Sequence, residues 1–269
     1  TAFAGNIKTG DQLLLSPPGK AVRVRTLRVQ DTAAESGHAG QRIALALSGI
    51  EKSQIERGQW LVTPALHAPL RRFDARIRVL SGQPPLKHWT PVHLHLGAED
   101  VPARISLLGV DEIAPGGEHW AQISVDRDIG ALAGDRFILR DATARHTIAG
   151  GVVLDIFPPS RKKSSTERLA MLAALADPDP AGALRHAAEQ QAAGVDLTTH
   201  ALNRNLDSAT LAALCRQLNL KIVGTTAFAP SRWQALEIRL LAALAAERER
   251  APALTGVERD RLRRLTLPP

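Results

Sequence analysis

The chain has 269 residues, 44% of them hydrophobic and 23% charged, and its 34 Lys plus Arg outweigh 27 Asp plus Glu to give a formal charge of +7. That length and apolar content fit two domains, or three small ones, while the single Cys215 excludes an intrachain disulfide and fits a reducing, cytoplasmic compartment. No apolar run approaches the roughly 18 residues of a membrane span, so no membrane partner is expected, and the modest positive excess is a weak pointer to nucleic acid.

Residues 1–158 carry short Val/Ile/Leu-rich runs broken by Gly, Pro and Asp. Strands are predicted over 11–15, 21–29, 42–47, 60–62, 74–80, 92–96, 103–108, 121–125, 136–139 and 151–156. Turn residues between them suit compact β-barrels. In 21–29, Val22, Val24, Leu27 and Val29 are apolar and Arg23, Arg25 and Arg28 break the run. Period-two alternation puts the arginines on the wet face, with a phase slip between Val24 and Leu27. Two prolines and a charged pair within 64–72 mark a boundary, giving one barrel over 1–66 and a second over 72–158. The sequence begins without Met or a signal-like segment, so its first residue is expected to lie inside a longer protein.

The stretch PPSRKKSSTER (158–168) is a linker or basic arm carrying Arg161, Lys162 and Lys163. Beyond it, Leu169, Leu172, Leu175 and Ala176 share a helical face, with Ser165 or Thr166 as the cap. A second helix is predicted over 181–193, stopping at Gly194. Residues 195–202 lead as a short strand or turn into another helix. Asp207 or Ser208 caps a helix over 209–218; 220–228 is strand-like with Gly224 at a turn; Pro230 opens a helix continuing through 233–248. Helices followed by a hairpin fit a winged helix over 164–228, with 229–269 as a linker helix and the start of a second winged helix. The expected fold class is therefore mainly β then α: two tandem β-barrels followed by a winged-helix domain.

The chemistry-bearing motifs are few. There is no GxxxxGK followed by Ser or Thr and no NKxD, and Gly19-Lys20 lacks the upstream glycine of a phosphate loop, so nothing here seats GTP. There is no Gly-x-Ser-x-Gly elbow or HExxH helix, and Cys215 reads as core, so no catalytic residue is assigned. His88, His93 and His95 cluster, and His93-x-His95 is a spacing zinc can use, but nothing completes a ligand set and no metal is expected. An aromatic content of 3% argues against reading single-stranded RNA by stacking. Trp60, Trp89, Trp120 and Trp233 read instead as core or interdomain anchors. The closing Arg259, Arg261, Arg263 and Arg264, interleaved with Glu258 and Asp260, read as a solvated helix.

Residues 39–61, AGQRIALALSGIEKSQIERGQWL, resemble the second domain of the translational GTPases, the β-barrel that holds the aminoacyl end of a tRNA in elongation factor Tu. The match is closest to the bacterial selenocysteine-specific elongation factors. TAFAGNIKTGDQLLL (1–15) resembles the opening of their second domain. LKHWTPVHLHLGAEDVPARISLL (86–108) and GDRFILRDATARHTIAGGVVLD (134–155) resemble their third, and ERDRLRRLTLPP (258–269) resembles a linker between winged helices. The resemblance implies translation-factor barrels like domains 2 and 3 of elongation factor Tu. It also implies delivery of selenocysteinyl-tRNA to a ribosome at a recoded UGA codon. GTP and Mg would be bound by a domain of the parent protein outside this chain, which itself holds no cofactor, and a selenoprotein mRNA hairpin by C-terminal winged helices.

By the same resemblance, Arg42 faces the amino acid. A fixed guanidinium favours an ionised selenol over a neutral serine hydroxyl. Gln30, Asp31 and His38 approach the terminal adenosine. Lys87, His88, Arg104, Arg140, Arg145, His146 and Thr147 meet the tRNA backbone, and the Arg161–Lys163 arm follows the tRNA extra arm or ribosomal RNA. Two alternatives stand beside this one. They are the body of another translational GTPase, and a winged-helix DNA-binding regulator with barrel domains that offers Arg216 and Gln217 as base readers.

Overall fold

A computed structural model describes residues 1–250 and 256–266. The expected start of a second winged helix lies partly outside the described residues, at 251–255 and 267–269. The chain forms two compact units, 1–156 and 157–269.

The first unit opens with seven strands: β1 (Asn6–Lys8), β2 (Gln12–Ser16), β3 (Lys20–Val29), β4 (Thr32–Ala34), β5 (Ser36–His38), β6 (Ile43–Ser48) and β7 (Trp60–Val62). β2 pairs with β3 and β7, while β3 also pairs with β4 and β6, giving an open antiparallel sheet of five strands; β1 and β5 pair separately. The phase slip in β3 is a β-bulge, since the β3–β6 register shifts between Val24 and Thr26. The extra residue restores Leu27 to the buried face beside Val22 and Val24, and all three arginines stay exposed.

Eight further strands follow: β8 (Leu70–Val79), β9 (Leu86–Lys87), β10 (Pro91–Leu96), β11 (Glu99–Leu107), β12 (Glu112–Ile113), β13 (Glu118–Ile129), β14 (Arg136–Arg140) and β15 (Thr147–Asp155). Six of them close into an antiparallel barrel in the order β10-β11-β13-β8-β15-β14, with β14 returning to β10; β9 and β12 form a small ribbon. Alternation drives the closure. Val92, Leu94 and Leu96 of β10, Val101, Ala103 and Ile105 of β11, and Phe73, Ala75 and Ile77 of β8 all point into one core.

Four strands extend several residues beyond a predicted end. β8 starts at Leu70 rather than 74, β11 starts at Glu99 rather than 103, β13 runs through a register shift to Ile129, and β15 starts at Thr147 rather than 151. The predicted strand opens at Gly151, and both Gly150 and Gly151 lie inside β15. A Cβ on Gly151 would stand 2.3 Å from the Arg76 carbonyl oxygen and 2.4 Å from the Phe137 ring, so the glycine marks close packing rather than a bend.

The second unit contains α1 (Thr166–Leu175), α2 (Pro180–Gln190), β16 (Val195–Asp196), α3 (Leu197–Arg204), α4 (Ser208–Gln217), β17 (Lys221–Val223), β18 (Thr226–Phe228), α5 (Pro230–Arg250) and α6 (Arg259–Thr266). The strands form a small antiparallel sheet in the order β16-β18-β17. Ser165 caps α1 by accepting from the Arg168 N–H, and Asp207 caps α4 by accepting from Thr210. Asp179 and Asp196 cap α2 and α3 in the same way, with Pro180 at the first helical position of α2. Leu184, Ala187, Ala188, Val195, Cys215 and Ala227 form the core, and burial pushes the Cys215 thiol pKa up. In α6, Arg261 donates to Glu247 of α5 at 2.8 Å, so this helix is docked rather than merely solvated. No helix among the described residues is long and apolar enough to cross a membrane.

Candidate nucleic-acid interface

Two places in the first unit gather the residues singled out by sequence. The first is one end of the open sheet. Val29 and Thr32 are cross-strand partners, so Gln30 and Asp31 are a two-residue hairpin turn, with φ of +48° and +65°. The Arg28 guanidinium braces that turn by donating to the Asp31 carbonyl. The Gln30 N–H donates to the Arg42 carbonyl at 3.4 Å, and Ile43, next to Arg42, pairs with Val29. Gly37, next to His38, lies over both: a Cβ there would meet Ile43 Cδ1 at 2.5 Å and Val29 Cγ2 at 3.3 Å. The His38 N–H in turn donates to the Gln41 side chain at 2.8 Å. Arg42, Gln30, Asp31 and His38 therefore surround one small apolar platform, and Arg42 is exposed there. Gln30-Asp31 is thus a tight, defined turn.

The second place is one rim of the closed barrel. Arg140, at the end of β14, pairs with Thr147 on β15 and with His93 on β10. Pro91, at the start of β10, pairs with Arg104 on β11. The 141–146 hairpin and the 87–90 turn therefore emerge side by side, with Arg104 next to the turn. Lys87 pairs with Glu112 in the β9–β12 ribbon, and the His88 N–H donates to the Asp111 carbonyl at 2.9 Å. Lys87, His88, Arg104, Arg140, Arg145, His146 and Thr147, spread over 61 positions of sequence (87 to 147), share this rim.

Asp141 organises the hairpin. Its carboxylate accepts from the Arg145 N–H and the Thr143 hydroxyl, each at 2.9 Å, and faces His146 Nδ1 at 3.1 Å. The Arg145 amide above all, then the His146 and Thr143 side chains, hold the Asp141 carboxyl well below the usual range. Arg140 donates to the Ala144 carbonyl at 2.9 Å, so its guanidinium props the hairpin up. Arg145 and His146 stay exposed. His93 and His95 turn to one carboxylate: Asp100 Oδ1 lies 3.1 Å from His93 Nδ1 and 3.8 Å from His95 Nε2. The His93 hydrogen bond, then the charges of the histidines and Arg140, lower the Asp100 pKa. Among the described residues no cluster of three His, Cys, Asp or Glu is arranged to hold a metal ion.

Arg161, Lys162 and Lys163 belong to the second unit. Of the tryptophans read as anchors, Trp60 fits: it packs on the barrel core and stacks with Phe3 at 5.3 Å. Trp89 does not fit. It is 51% exposed at the rim, the one aromatic there that the sequence reading assigned to packing. Nothing in its immediate sequence distinguishes it from a buried tryptophan.

An open β-module joined to a closed six-stranded antiparallel barrel, with a helical unit after it in the chain, defines the fold. The fold of a solved bacterial selenocysteine-specific elongation factor, EF-Sec, agrees, with a TM-score of 0.68 at 17% identity over 97% of this chain and 41% of that one. A structure of sup35 complexed with GDP matches with a TM-score of 0.53 at 20% identity, over 57% of this chain and 42% of that chain.

Sequence narrows the class. Residues 73–160 match the family described as selenocysteine-specific elongation factor, β-barrel domain. The selenocysteine-specific elongation factor of Escherichia coli K12 is 37% identical over 273 aligned positions, spanning 100% of this chain and 42% of the relative. That of Desulfomicrobium baculatum is 36% identical over 163 positions, 60% of this chain and 25% of the relative. Residues 73–160 thus carry the β-barrel domain of the selenocysteine-specific elongation factors, the whole chain is similar to part of the Escherichia coli factor, and it spans less than half the length of these relatives.

Proposed function

We propose that this chain is the tRNA-holding body of a selenocysteine-specific elongation factor. In this reading the open sheet receives the aminoacyl end of selenocysteinyl-tRNA, with Arg42 facing the selenolate and Gln30, Asp31 and His38 beside the terminal adenosine. The barrel rim carries the tRNA backbone on Lys87, His88, Arg104, Arg145, His146 and Thr147, with Arg140 supporting the hairpin. A domain of the parent binds GTP and Mg and drives delivery to the ribosome in the cytoplasm. Further winged helices take the selenoprotein mRNA hairpin. Residues 164–228 form the first winged helix, a reading supported by the order of helices, strand, helices and hairpin. The Arg161–Lys163 arm touches the tRNA extra arm or ribosomal RNA.

The single observation that carries this reading is the rim, where the barrel's register gathers basic and hydroxyl side chains distant in sequence. Binding of selenocysteinyl-tRNA and seryl-tRNA, measured across salt concentrations, tests it. Affinity should fall as salt rises, because bound phosphates release counterions. In the full-length factor, Arg42→Ala should erase the preference for the selenocysteinyl form. An intact preference removes Arg42 from the pocket, and tight binding to random duplex DNA instead of structured RNA would favour a DNA-binding regulator.

A further inference from the structure

We propose that His93, on the outer wall of the barrel, is a proton-linked phosphate contact that carries the RNA path from the rim down β10, an inference that rests on the RNA-holding reading of the rim. The wall continues the rim without a break. His93 and His95 are successive outward positions of β10, separated by the buried Leu94. On one side β14 sets Arg140 opposite His93 and Ile138 opposite His95, with Arg136 one outward row beyond. On the other side β11 sets Asp100 opposite His95, while Arg104 lies opposite Pro91, one outward row from His93. Arg104 and Arg140 belong to the rim, so His93 stands between two of its cations.

Asp100 fixes what the His93 ring can do. Its Oδ1 lies 3.1 Å from His93 Nδ1 and 3.8 Å from His95 Nε2. A carboxylate against Nδ1 keeps a proton on that nitrogen, so Nε2 is the one left for a ligand. In a neutral ring Nε2 only accepts, and it cannot bond a phosphate oxygen. One proton taken from solvent makes it a donor. The imidazolium then donates Nδ1–H to Asp100 and Nε2–H to the phosphate, and both bonds are charge-assisted. The His93 hydrogen bond above all holds the Asp100 carboxyl below its usual range, so the carboxylate stays ionised wherever histidines ordinarily change charge.

The charge around the pair selects the occupant. With both rings neutral, Arg104 and Arg140 face the Asp100 carboxylate from β11 and β14; with both protonated, cations surround it on β10 as well. The His95 Nε2 is buried without a hydrogen-bond partner, beside Asp100 and the 50% exposed Ile138. A proton gained there is weakly screened and adds to the pull on an anion. Successive outward rows of a strand lie about 7 Å apart, close to the step between neighbouring phosphates of one nucleic-acid strand. A phosphodiester backbone therefore fits this wall better than a single small anion.

The test is binding of the selenocysteine tRNA transcript to the wild-type chain and to His93→Gln, His93→Arg and Asp100→Asn, at about pH 6 and about pH 8. Wild type should bind about tenfold more tightly at the lower pH, as one added charge-assisted hydrogen bond implies. Its slope of log affinity against log salt should be steeper there by about 1. His93→Gln should lose most of this difference and stay near the wild-type high-pH level. His93→Arg, charged throughout, should hold the tight level at both pH values, so it decides the matter if the glutamine variant fails to fold. Asp100→Asn should move the rise in affinity to lower pH, because the imidazolium loses its carboxylate; a carboxylate that only braced the strands would leave that midpoint in place. A wild-type affinity independent of pH, or a dependence that His93→Gln keeps in full, overturns the proton-linked contact. A wild-type chain that binds the transcript at neither pH overturns the rim reading itself.

Discussion

Deleting Arg127 should unseat the seam between the two β-modules. Glu99, the first residue of β11, is buried with its side chain 0% exposed. Arg127 holds it with two N–H donors, 3.3 Å to Oε1 and 2.5 Å to Oε2. On the other side Gly58, at φ +97°, approaches so closely that a Cβ there would lie 2.4 Å from the Glu99 carboxyl carbon. Arg127→Ala therefore leaves a buried carboxylate without its cation. Removing one partner of a buried pair costs about 3–5 kcal/mol. The Arg127 side chain is 46% exposed, so water reaches part of the vacated space and the low end applies, about 3 kcal/mol. For a unit of this size each kcal/mol moves Tm by roughly 2–4 °C, giving a drop of about 6–12 °C. Urea unfolding followed by tryptophan emission measures it, with Trp60 reporting from the seam. Replacing both Glu99 and Arg127 by leucine removes both charges and should recover most of the loss. The reasoning fails if Arg127→Ala unfolds within about 0.5 kcal/mol of wild type, or if the double variant is less stable than the single one.

Gly151→Ala should cost about 1–3 kcal/mol by overpacking, because the Arg76 carbonyl and the Phe137 ring already occupy the space; a thermal melt at the wild-type midpoint would contradict that packing. Asp141 has a folded pKa below its unfolded value, so its contribution to the hairpin is present above about pH 4 and lost as pH falls through the depressed folded value. Exchange protection of the Arg145 amide should accordingly persist at about pH 5 and decline below about pH 3. Asp141→Asn should abolish that acid-range change; protection that is flat with pH in the wild type would exclude it. Arg145→Ala should reduce the salt slope of tRNA binding by about 1, as expected for one lost phosphate contact. An unchanged slope would take Arg145 off the RNA.

Much of the core was legible because burial imposes a period on the chain. The alternation of Val92, Leu94 and Leu96 identified β10, and the cap candidates Ser165 or Thr166 and Asp207 or Ser208 marked the starts of α1 and α4, where Ser165 and Asp207 do the capping. The slip in β3 was visible too, though only pairing with β6 shows it to be a bulge. Less was legible where a residue's meaning depends on a partner. Why Gly151 is glycine shows only once Phe137 and the Arg76 carbonyl are placed against it. Strands of two or three residues, such as β9 and β12, carry too few positions to show a period.

The candidate site divides in the same way. Resemblance alone named Arg42, Arg104 and Arg145, and their charge and side-chain reach are properties of the chain itself. By itself the sequence determined the β-then-α order, the absence of a phosphate-binding loop from these 269 residues, and which faces of the strands are dry. Only the tertiary structure decided that Lys87, Arg104 and Arg145 share a rim, that Glu99 is buried against Arg127, and that Trp89 is held outward. Side-chain periodicity is a local constraint and is written in order along the chain. Barrel closure is set by hydrogen bonds between distant strands, and that register determines which residues meet.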